Sequence, residues 1–165
     1  MSSNTTMTMF DKIRQFNDAF GVDRVTNGMN PNITRDKPQL VEQCMSLIHE
    51  EVRELEDAVS THDFTEIRDA LSDIIYVVLG MSYRLGINAD SDFSIVHDSN
   101  MSKLCDTEEE AAETVADYEQ RRDSGETKYD SPYYEPCDAV PGKWIVRNRS
   151  TRKVLKNINY KAVKW

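Results

Sequence analysis

The sequence predicts an all-α fold, a bundle of four to five helices, followed by a C-terminal extension that contains an acidic helix and a short β-hairpin. Apolar residues recur at spacings of three and four over long segments, which places them on one face of a helix. Capping residues stand at the ends of those segments. The hairpin is indicated near the C-terminus, where two short apolar runs flank the polar stretch 149–152.

Each predicted element follows from these local patterns, and Asp36, Asp63 and Thr107 are the expected helix caps. Glu66, three residues after Asp63, would complete a capping box. In chain order the elements are a helix at 10–20, a loop at 27–38, helices at 38–60, 63–85 and 93–104, an acidic helix at 107–122, a loop at 124–142 and the hairpin, with strands at 144–146 and 154–155. We divide the chain into a flexible tail at 1–9, an all-α catalytic core at 10–105 and the extension at 106–165.

The segment 74–81 is apolar nearly all round, so we expect this part of its helix to be buried on most sides. A small domain usually achieves this by packing against a second copy of itself. The sequence therefore predicts a homodimer or a dimer of dimers.

Composition limits the classes of partner. The net charge is −9, yet the last acidic residue is Asp138 and eight basic side chains follow it. An acidic body does not attract a nucleic acid polymer, whereas the basic end could pair with the acidic body, with a neighbouring subunit or with a phosphate ligand. No apolar run approaches the 20 or so residues of a membrane helix. Three widely spaced cysteines without a CxxC pair indicate reduced thiols in a cytoplasm.

The helix at 38–60 carries acidic residues where an amphipathic helix should be apolar. With about 100° per residue, Glu51 falls inside the apolar arc, between Leu47 and Leu55. Glu54 falls at the edge of that arc and Glu50 just beyond it. A solvated acidic face would not place a glutamate there.

The next helix shows the same feature. Glu66, Asp69 and Asp73 are three and four residues apart, so they form one line at the border of the apolar arc. Because the linker between the two helices is short, the helices should pack antiparallel and bring the acidic lines together. Such carboxylates repel unless a cation neutralises them, and hard oxygen ligands select Mg²⁺, Mn²⁺ or Ca²⁺. Mg²⁺, with Mn²⁺ as a possible substitute, is the expected cofactor, because Mg²⁺ held by carboxylates and waters keeps open coordination positions.

These residues resemble a known family. The first motif is Glu50-Glu51-x-x-Glu54, and it is followed by Glu66, Asp69 and Asp73-Ile-Ile-Tyr-Val-Val-Leu-Gly. The combined pattern is similar to that of the all-α NTP pyrophosphohydrolase superfamily. The segments 16–21 and 99–104 resemble especially the MazG-like and phosphoribosyl-ATP pyrophosphohydrolase-like proteins of phages and other viruses.

The resemblance implies a MazG-like bundle that cleaves a nucleoside triphosphate between the α- and β-phosphates, giving a monophosphate and pyrophosphate. It implies Glu51, Glu54 and Asp73 as Mg²⁺ ligands. Where many members have a further Glu, this chain has Ala70, so Asp69 or Glu66 would supply the fourth ligand. Glu50 or Glu51 could take the proton of the attacking water.

Substrate contacts are predicted on three of the helices. Lys103 and Asn100 could reach the phosphates and the sugar or base, and Asn17, Phe20 and Tyr76 could contact the nucleoside. Two other functions stay open: a phosphoribosyl-ATP pyrophosphohydrolase of histidine synthesis, and a non-catalytic helical interaction module. An EF-hand-type calcium regulator is disfavoured, because no Asp-x-Asp-x-Asp-Gly loop occurs.

Overall fold

The computed structural model describes residues 6–25 and 28–165, which form six helices and one two-stranded antiparallel sheet. In chain order these are α1 (Met9–Ala19), α2 (Ile33–Asp36), α3 (Pro38–Ser60), α4 (Phe64–Arg84), α5 (Ala89–Met101), α6 (Glu108–Asp123), β1 (Pro132–Pro136) and β2 (Trp144–Asn148). The chain divides into two compact units, Met1–Asp92 and Phe93–Trp165, so that α5 crosses the boundary. This boundary comes before residue 105, where the sequence analysis ended the core.

Helix α1 begins with a capping box. The Thr8 hydroxyl accepts a hydrogen bond from the Asp11 N–H, and the Asp11 carboxylate accepts one from the Thr8 N–H. Phe10 and Ile13 are buried against Tyr83 of α4. Of the predicted tail, residues 1–5 lie outside the described residues, whereas Thr8 and Met9 already belong to the cap and the first turn.

The segment between α1 and α3 is not entirely a loop, because it contains the short helix α2. Asp36 ends α2 and accepts a hydrogen bond from the Asn30 side chain. The residue at the N-cap of α3 is Lys37, which makes no side-chain capping bond. The prediction that Asp36 caps α3 is therefore wrong; the helix begins instead with Pro38, whose fixed φ suits a first turn.

Helices α3 and α4 form an antiparallel pair, as the short linker predicted. Asp63 caps α4 by accepting hydrogen bonds from the N–H groups of Thr65 and Glu66. At the opposite end of the pair, Arg84 near the end of α4 donates hydrogen bonds to the Gln43 and Cys44 side chains of α3. The bounds predicted for α3 are confirmed.

One side of this helix pair remains exposed. Its apolar side chains, which we call the apolar face, are Met45, Val52 and Val59 of α3 and Leu71, Ile75 and Val78 of α4. The segment 74–81 is thus not buried on most sides within one chain, since Ile75 is 47% exposed. The sequence predicted that this helix is apolar, but it did not indicate which sides of the helix are buried within a single chain.

The second unit contains α6 and the sheet. Thr107 caps α6 as predicted, by accepting a hydrogen bond from the Glu110 N–H. Helix α5 begins at Ala89, earlier than the predicted residue 93, because the Asn88 side chain accepts a hydrogen bond from the Ser91 N–H at its start. The buried core of this unit consists of Cys105, Ala111, Tyr118, Val146 and Leu155.

The sheet differs from the predicted hairpin. Strand β2 pairs with β1, from Pro132 opposite Asn148 to Pro136 opposite Trp144. The segment 124–142 was predicted to be a loop because it is rich in proline, but both prolines of β1 lie at its ends, where a strand tolerates them. The predicted partner, Val154, forms only an isolated bridge with Arg147.

Within the described residues, no single helix is long and apolar enough to cross a membrane; α4 and α5 meet the length and composition requirements only as a bent pair. All three cysteines are free and buried.

Candidate metal centre

The acidic residues of α3 and α4 lie on one side of the helix pair. The line along which the two helices pack is marked by buried Cys44 and Ala58 on α3 and Ala70 on α4. At about 100° per residue, the carboxylates flank this line on one side and the apolar face flanks it on the other. The two helices therefore present an acidic edge and an apolar edge.

Glu51 is the centre of the acidic edge. Its Oε2 atom is buried and has no hydrogen-bond partner among the residues that the structure describes. Burial raises the pKa of this carboxyl, and the negative charges of Glu54, Asp73, Glu50 and Asp69, in that order, raise it further. An unpaired buried carboxylate oxygen is costly, so it marks a position where a positive ligand would be stabilising.

Five of the six acidic residues predicted for the site are thus close enough to interact. Glu51 and Asp73 are partly buried, whereas Glu50, Glu54 and Asp69 are exposed on the same edge. Glu66 is also exposed, but its charge is not among those that act on Glu51. Of the two residues predicted as alternatives for the fourth ligand, only Asp69 thus acts electrostatically on Glu51.

The acidic residues lie close together, but their carboxylates do not converge on one position where a metal ion would bind. Across residues 6–25 and 28–165, no three His, Cys, Asp or Glu side chains are arranged to hold a metal ion. Carboxylates without a cation between them repel one another. The donor set is all oxygen and includes the unpaired Glu51 Oε2, and this chemistry fits Mg²⁺ or Mn²⁺.

An apolar cavity of about 260 Å³ adjoins the acidic edge. Leu47 lines it one helical turn before Glu51, and Tyr76 and Val77 line it one turn after Asp73. One turn is about 5.4 Å, so the wall of the cavity begins about one helical turn from Glu51 and Asp73. Its remaining wall is formed by Phe16, Asn17, Val22, Cys44, Gly80, Met81 and Arg84.

Two of the three residues predicted to contact a nucleoside line this cavity. They are Asn17, whose side-chain amide donates to the Ile13 carbonyl, and Tyr76. Phe20 is 72% exposed and lies outside the lining, but its ring centroid is 4.5 Å from that of Phe16, which packs edge-on against Tyr76.

Sequence reasoning missed Arg84, which lies at the end of the cavity away from the carboxylates. Its guanidinium donates to the Gln43 amide oxygen at 3.2 Å and to the Asp23 carbonyl at 3.2 Å. A basic residue in the last turn of a helix is normally interpreted as a favourable partner of the helix dipole. No pattern in the sequence distinguishes this arginine from such a residue.

Comparison with known proteins identifies the family. A sequence model described as phosphoribosyl-ATP pyrophosphohydrolase matches residues 14–100, more than half of the chain. The chain belongs to this family. The resemblance to the MazG-like NTP pyrophosphohydrolase superfamily is thereby confirmed, and the family is one of pyrophosphohydrolases.

The chain is also similar to a viral protein. An uncharacterized protein of Acanthamoeba polyphaga mimivirus is 42% identical over 83 residues, which cover 50% of this chain. The match covers 33% of that relative's length, so this chain is similar to only part of it.

The family match includes the acidic edge, the apolar cavity and Asn100, and it ends before Lys103. Asn100 and Lys103 belong to the second unit, where the Lys103 Nζ donates to the Asn100 Oδ1 at 2.6 Å. Their substrate contacts stay a prediction. Most of the second unit lies beyond the region that the phosphoribosyl-ATP pyrophosphohydrolase family accounts for.

Proposed function

We propose that this chain is a Mg²⁺-dependent pyrophosphohydrolase that cleaves a nucleoside triphosphate, ribo or deoxyribo, between its α- and β-phosphates. The observation that carries the proposal is the buried, unpaired Glu51 Oε2 within the described residues, surrounded by four further carboxylates. Membership of a pyrophosphohydrolase family supports the reaction class.

The acidic edge would hold the cation. Glu51, Glu54 and Asp73 are the first ligands, and Asp69 is the further one because its charge acts on Glu51. A bound Mg²⁺ supplies charge neutralisation for the phosphate oxygens. Glu66 was an alternative ligand and has less support.

The protein's own residues would direct the hydrolysis. Glu50 is exposed beside Glu51, so its carboxylate can accept the proton of the water that attacks phosphorus. The bond between phosphorus and the bridging oxygen then breaks, which releases a nucleoside monophosphate and pyrophosphate.

The apolar cavity would take the nucleoside. Drug-sized ligands occupy cavities of roughly 300–1,000 Å³, so one of about 260 Å³ suits a base rather than a whole nucleotide. Because it opens one turn from Glu51 and Asp73, a base held there leaves the triphosphate at the carboxylates. Phe16 and Tyr76 provide aromatic surface for the base.

A second copy of the chain is the proposed macromolecular partner. The apolar face of α3 and α4 is exposed in one chain, and a surface of this kind is normally buried by association. It lies on the edge opposite the carboxylates, so pairing through it leaves the acidic edge open.

Phosphoribosyl-ATP is the second candidate substrate, because the matching family carries that name. Its hydrolysis needs the same carboxylates and also releases pyrophosphate. A substrate panel separates the two, and it should include the four ribonucleoside triphosphates, the four deoxyribonucleoside triphosphates and phosphoribosyl-ATP.

The test is pyrophosphate release with Mg²⁺ from this panel, for the wild type, Glu54→Gln and Asp73→Asn. Each variant removes one charge beside Glu51, so we expect activity to fall by about 100-fold or more. Glu56→Gln is the matched control, because Glu56 is an exposed acid of α3 that does not act on Glu51. Undiminished activity in both site variants would exclude the proposed metal centre.

Thermal unfolding gives an independent readout. Glu51→Gln removes the buried charge, so in EDTA we expect it to raise the free energy of unfolding by about 1 kcal/mol. Mg²⁺ should raise the Tm of the wild type and leave that of Glu51→Gln nearly unchanged. A wild type that neither hydrolyses any substrate nor responds to Mg²⁺ would instead be a non-catalytic interaction module.

A further inference from the structure

The second unit contains a cavity of its own. It has a volume of about 400 Å³ and lies between the C-terminal half of α6 and the segment 156–160. Its lining consists of Asp117, Tyr118, Arg121, Lys156, Asn157, Ile158 and Tyr160. None of these residues falls within the region matched by the family, which ends at residue 100.

Basic side chains lie over aromatic rings around this cavity. The Lys156 Nζ is 4.3 Å from the centroid of the Tyr160 ring, and the Arg121 Cζ is 5.1 Å from that of Tyr118. An aromatic ring attracts a cation without neutralising its charge. The rings therefore hold these basic groups in position and leave them able to bind an anion.

A further aromatic residue, Tyr129, extends the basic surface. Its ring centroid is 5.9 Å from that of Tyr118, and the Lys153 Nζ lies 5.5 Å from it. The pKa of Tyr129 is lowered, first by a hydrogen bond from Lys153 and then by the charges of Lys153, Lys128 and Lys156. The Lys153 ammonium group therefore lies beside the Tyr129 ring, next to the cavity.

The basic groups outnumber the acids that could neutralise them. Asp117, which lines the cavity, pairs with Arg121 at 3.4 Å. Within the part of the chain that the structure describes, Lys128, Lys153 and Lys156 form no salt bridge, whereas Lys143 and Arg147 of the same basic segment pair with Asp106 and Glu135. Simple internal pairing therefore explains part of the basic C-terminal segment but not Lys153 and Lys156, nor Lys128 before that segment.

We propose that this cavity, lined by Lys156 and adjoined by Lys153 at the neighbouring Tyr129 ring, binds the phosphate groups of a small anion, either inorganic pyrophosphate or a nucleotide. Convergent ammonium and guanidinium groups are the usual partners of phosphate oxygens, and tyrosine rings offer a surface for a base. This second site is separate in sequence from the acidic edge and does not depend on the proposed hydrolysis.

The test is isothermal titration of the full chain with pyrophosphate, in EDTA and at low salt. Without a divalent cation the carboxylates repel pyrophosphate, so binding there does not contribute. We expect one site per chain, and we expect Lys153→Ala/Lys156→Ala to weaken it by at least about tenfold, because two charge-assisted contacts are lost. Lys12→Ala/Lys164→Ala removes the same charge outside the cavity and should change affinity by less than about twofold.

Additional titrations distinguish the sources of the phosphate. Tighter binding of adenosine monophosphate than of inorganic phosphate would assign the site to nucleotides, and equal binding would assign it to inorganic anions. Absence of binding, or equal affinity in the two double variants, would overturn the proposal. Binding of single-stranded oligothymidylate without any binding of small anions would also overturn it, in favour of a nucleic-acid surface. Unchanged tryptophan fluorescence of the variants checks the fold, since both tryptophans, Trp144 and Trp165, lie in this unit.

Discussion

Glu51 and Asp130 show how differently two carboxylates of one chain are stabilised. Glu51 is partly buried, and within the described residues its Oε2 has no hydrogen-bond partner, so its ionised form is destabilised. Asp130 Oδ1 accepts hydrogen bonds from the Ser150 hydroxyl, the Ser131 hydroxyl and the Asn148 amide. The first arrangement suits binding of a cation, and the second stabilises the fold of the second unit.

We expect Asp130 to make the stability of the folded protein depend on pH in the acidic range. The hydrogen bonds from Ser150, Asn148 and Ser131 lower the pKa of Asp130 from its ordinary value of 3.8 to about 2. Because the pKa is lower in the folded state, the stabilisation is complete above about pH 4 and is lost as the pH falls towards 2. Asp130→Asn should therefore lower the Tm at pH 6, and the difference from the wild type should shrink between pH 4 and pH 2.

The control for this prediction is Asp138→Asn, which makes the same change of charge at an exposed aspartate of the same unit. It should show no comparable convergence with the wild type in acid. If Asp130→Asn has the wild-type Tm at pH 6, the three hydrogen bonds do not stabilise the fold.

At the scale of the elements, two helices end with the same glycine geometry but in different surroundings. Gly86 after α4 and Gly125 after α6 have φ values of +76° and +78°, a region that favours glycine. A Cβ atom on Gly86 would lie 3.1 Å from the Gly28 carbonyl oxygen, whereas one on Gly125 would meet nothing within 4 Å. A comparison of alanine substitutions at Gly86 and Gly125 therefore separates the cost of a positive φ from the cost of steric contact.

We expect Gly125→Ala to cost about 1 kcal/mol of stability, through the positive φ alone. Gly86→Ala should cost more, about 2 kcal/mol, because the Gly28 backbone must also move. Urea unfolding of both variants measures the two values. An equal loss of unfolding free energy in both variants would show that the Gly28 backbone moves at no measurable cost.

The elements also show what the sequence could predict. The long helices were predictable because α3 and α4 keep an apolar spacing over many turns and have clear ends at Pro38 and Asp63. Strand β1 was not predictable from the sequence. Its five residues, Pro132–Pro136, show no alternation of apolar and polar side chains and include two prolines, and they form a strand only because they pair with β2. The helical angles likewise predicted Glu51 beside Glu54 and Asp73, whereas Arg84 reaches the cavity through tertiary packing that no local pattern indicates.

At the scale of the whole molecule, the apolar face leads to a prediction about assembly. Leu71, Ile75 and Val78 are spaced four and three residues apart, so they form one stripe along α4, and each is more than 40% exposed. Met45, Val52 and Val59 continue it on α3. A monomer would leave this contiguous apolar surface in water at a cost of about 25 cal/mol for each Å².

We therefore expect the protein to sediment as a dimer or larger assembly at micromolar concentration, with a Tm that rises with protein concentration. Ile75→Glu places a charge in the centre of the stripe and should shift the protein towards the monomer in analytical ultracentrifugation. Met29→Glu is the control, because Met29 is an exposed apolar residue outside α3 and α4 and its replacement should leave the assembly intact. If the wild type is monomeric at every concentration tested, the apolar face is not an interface between copies of this chain, and the acidic edge must function within a single chain.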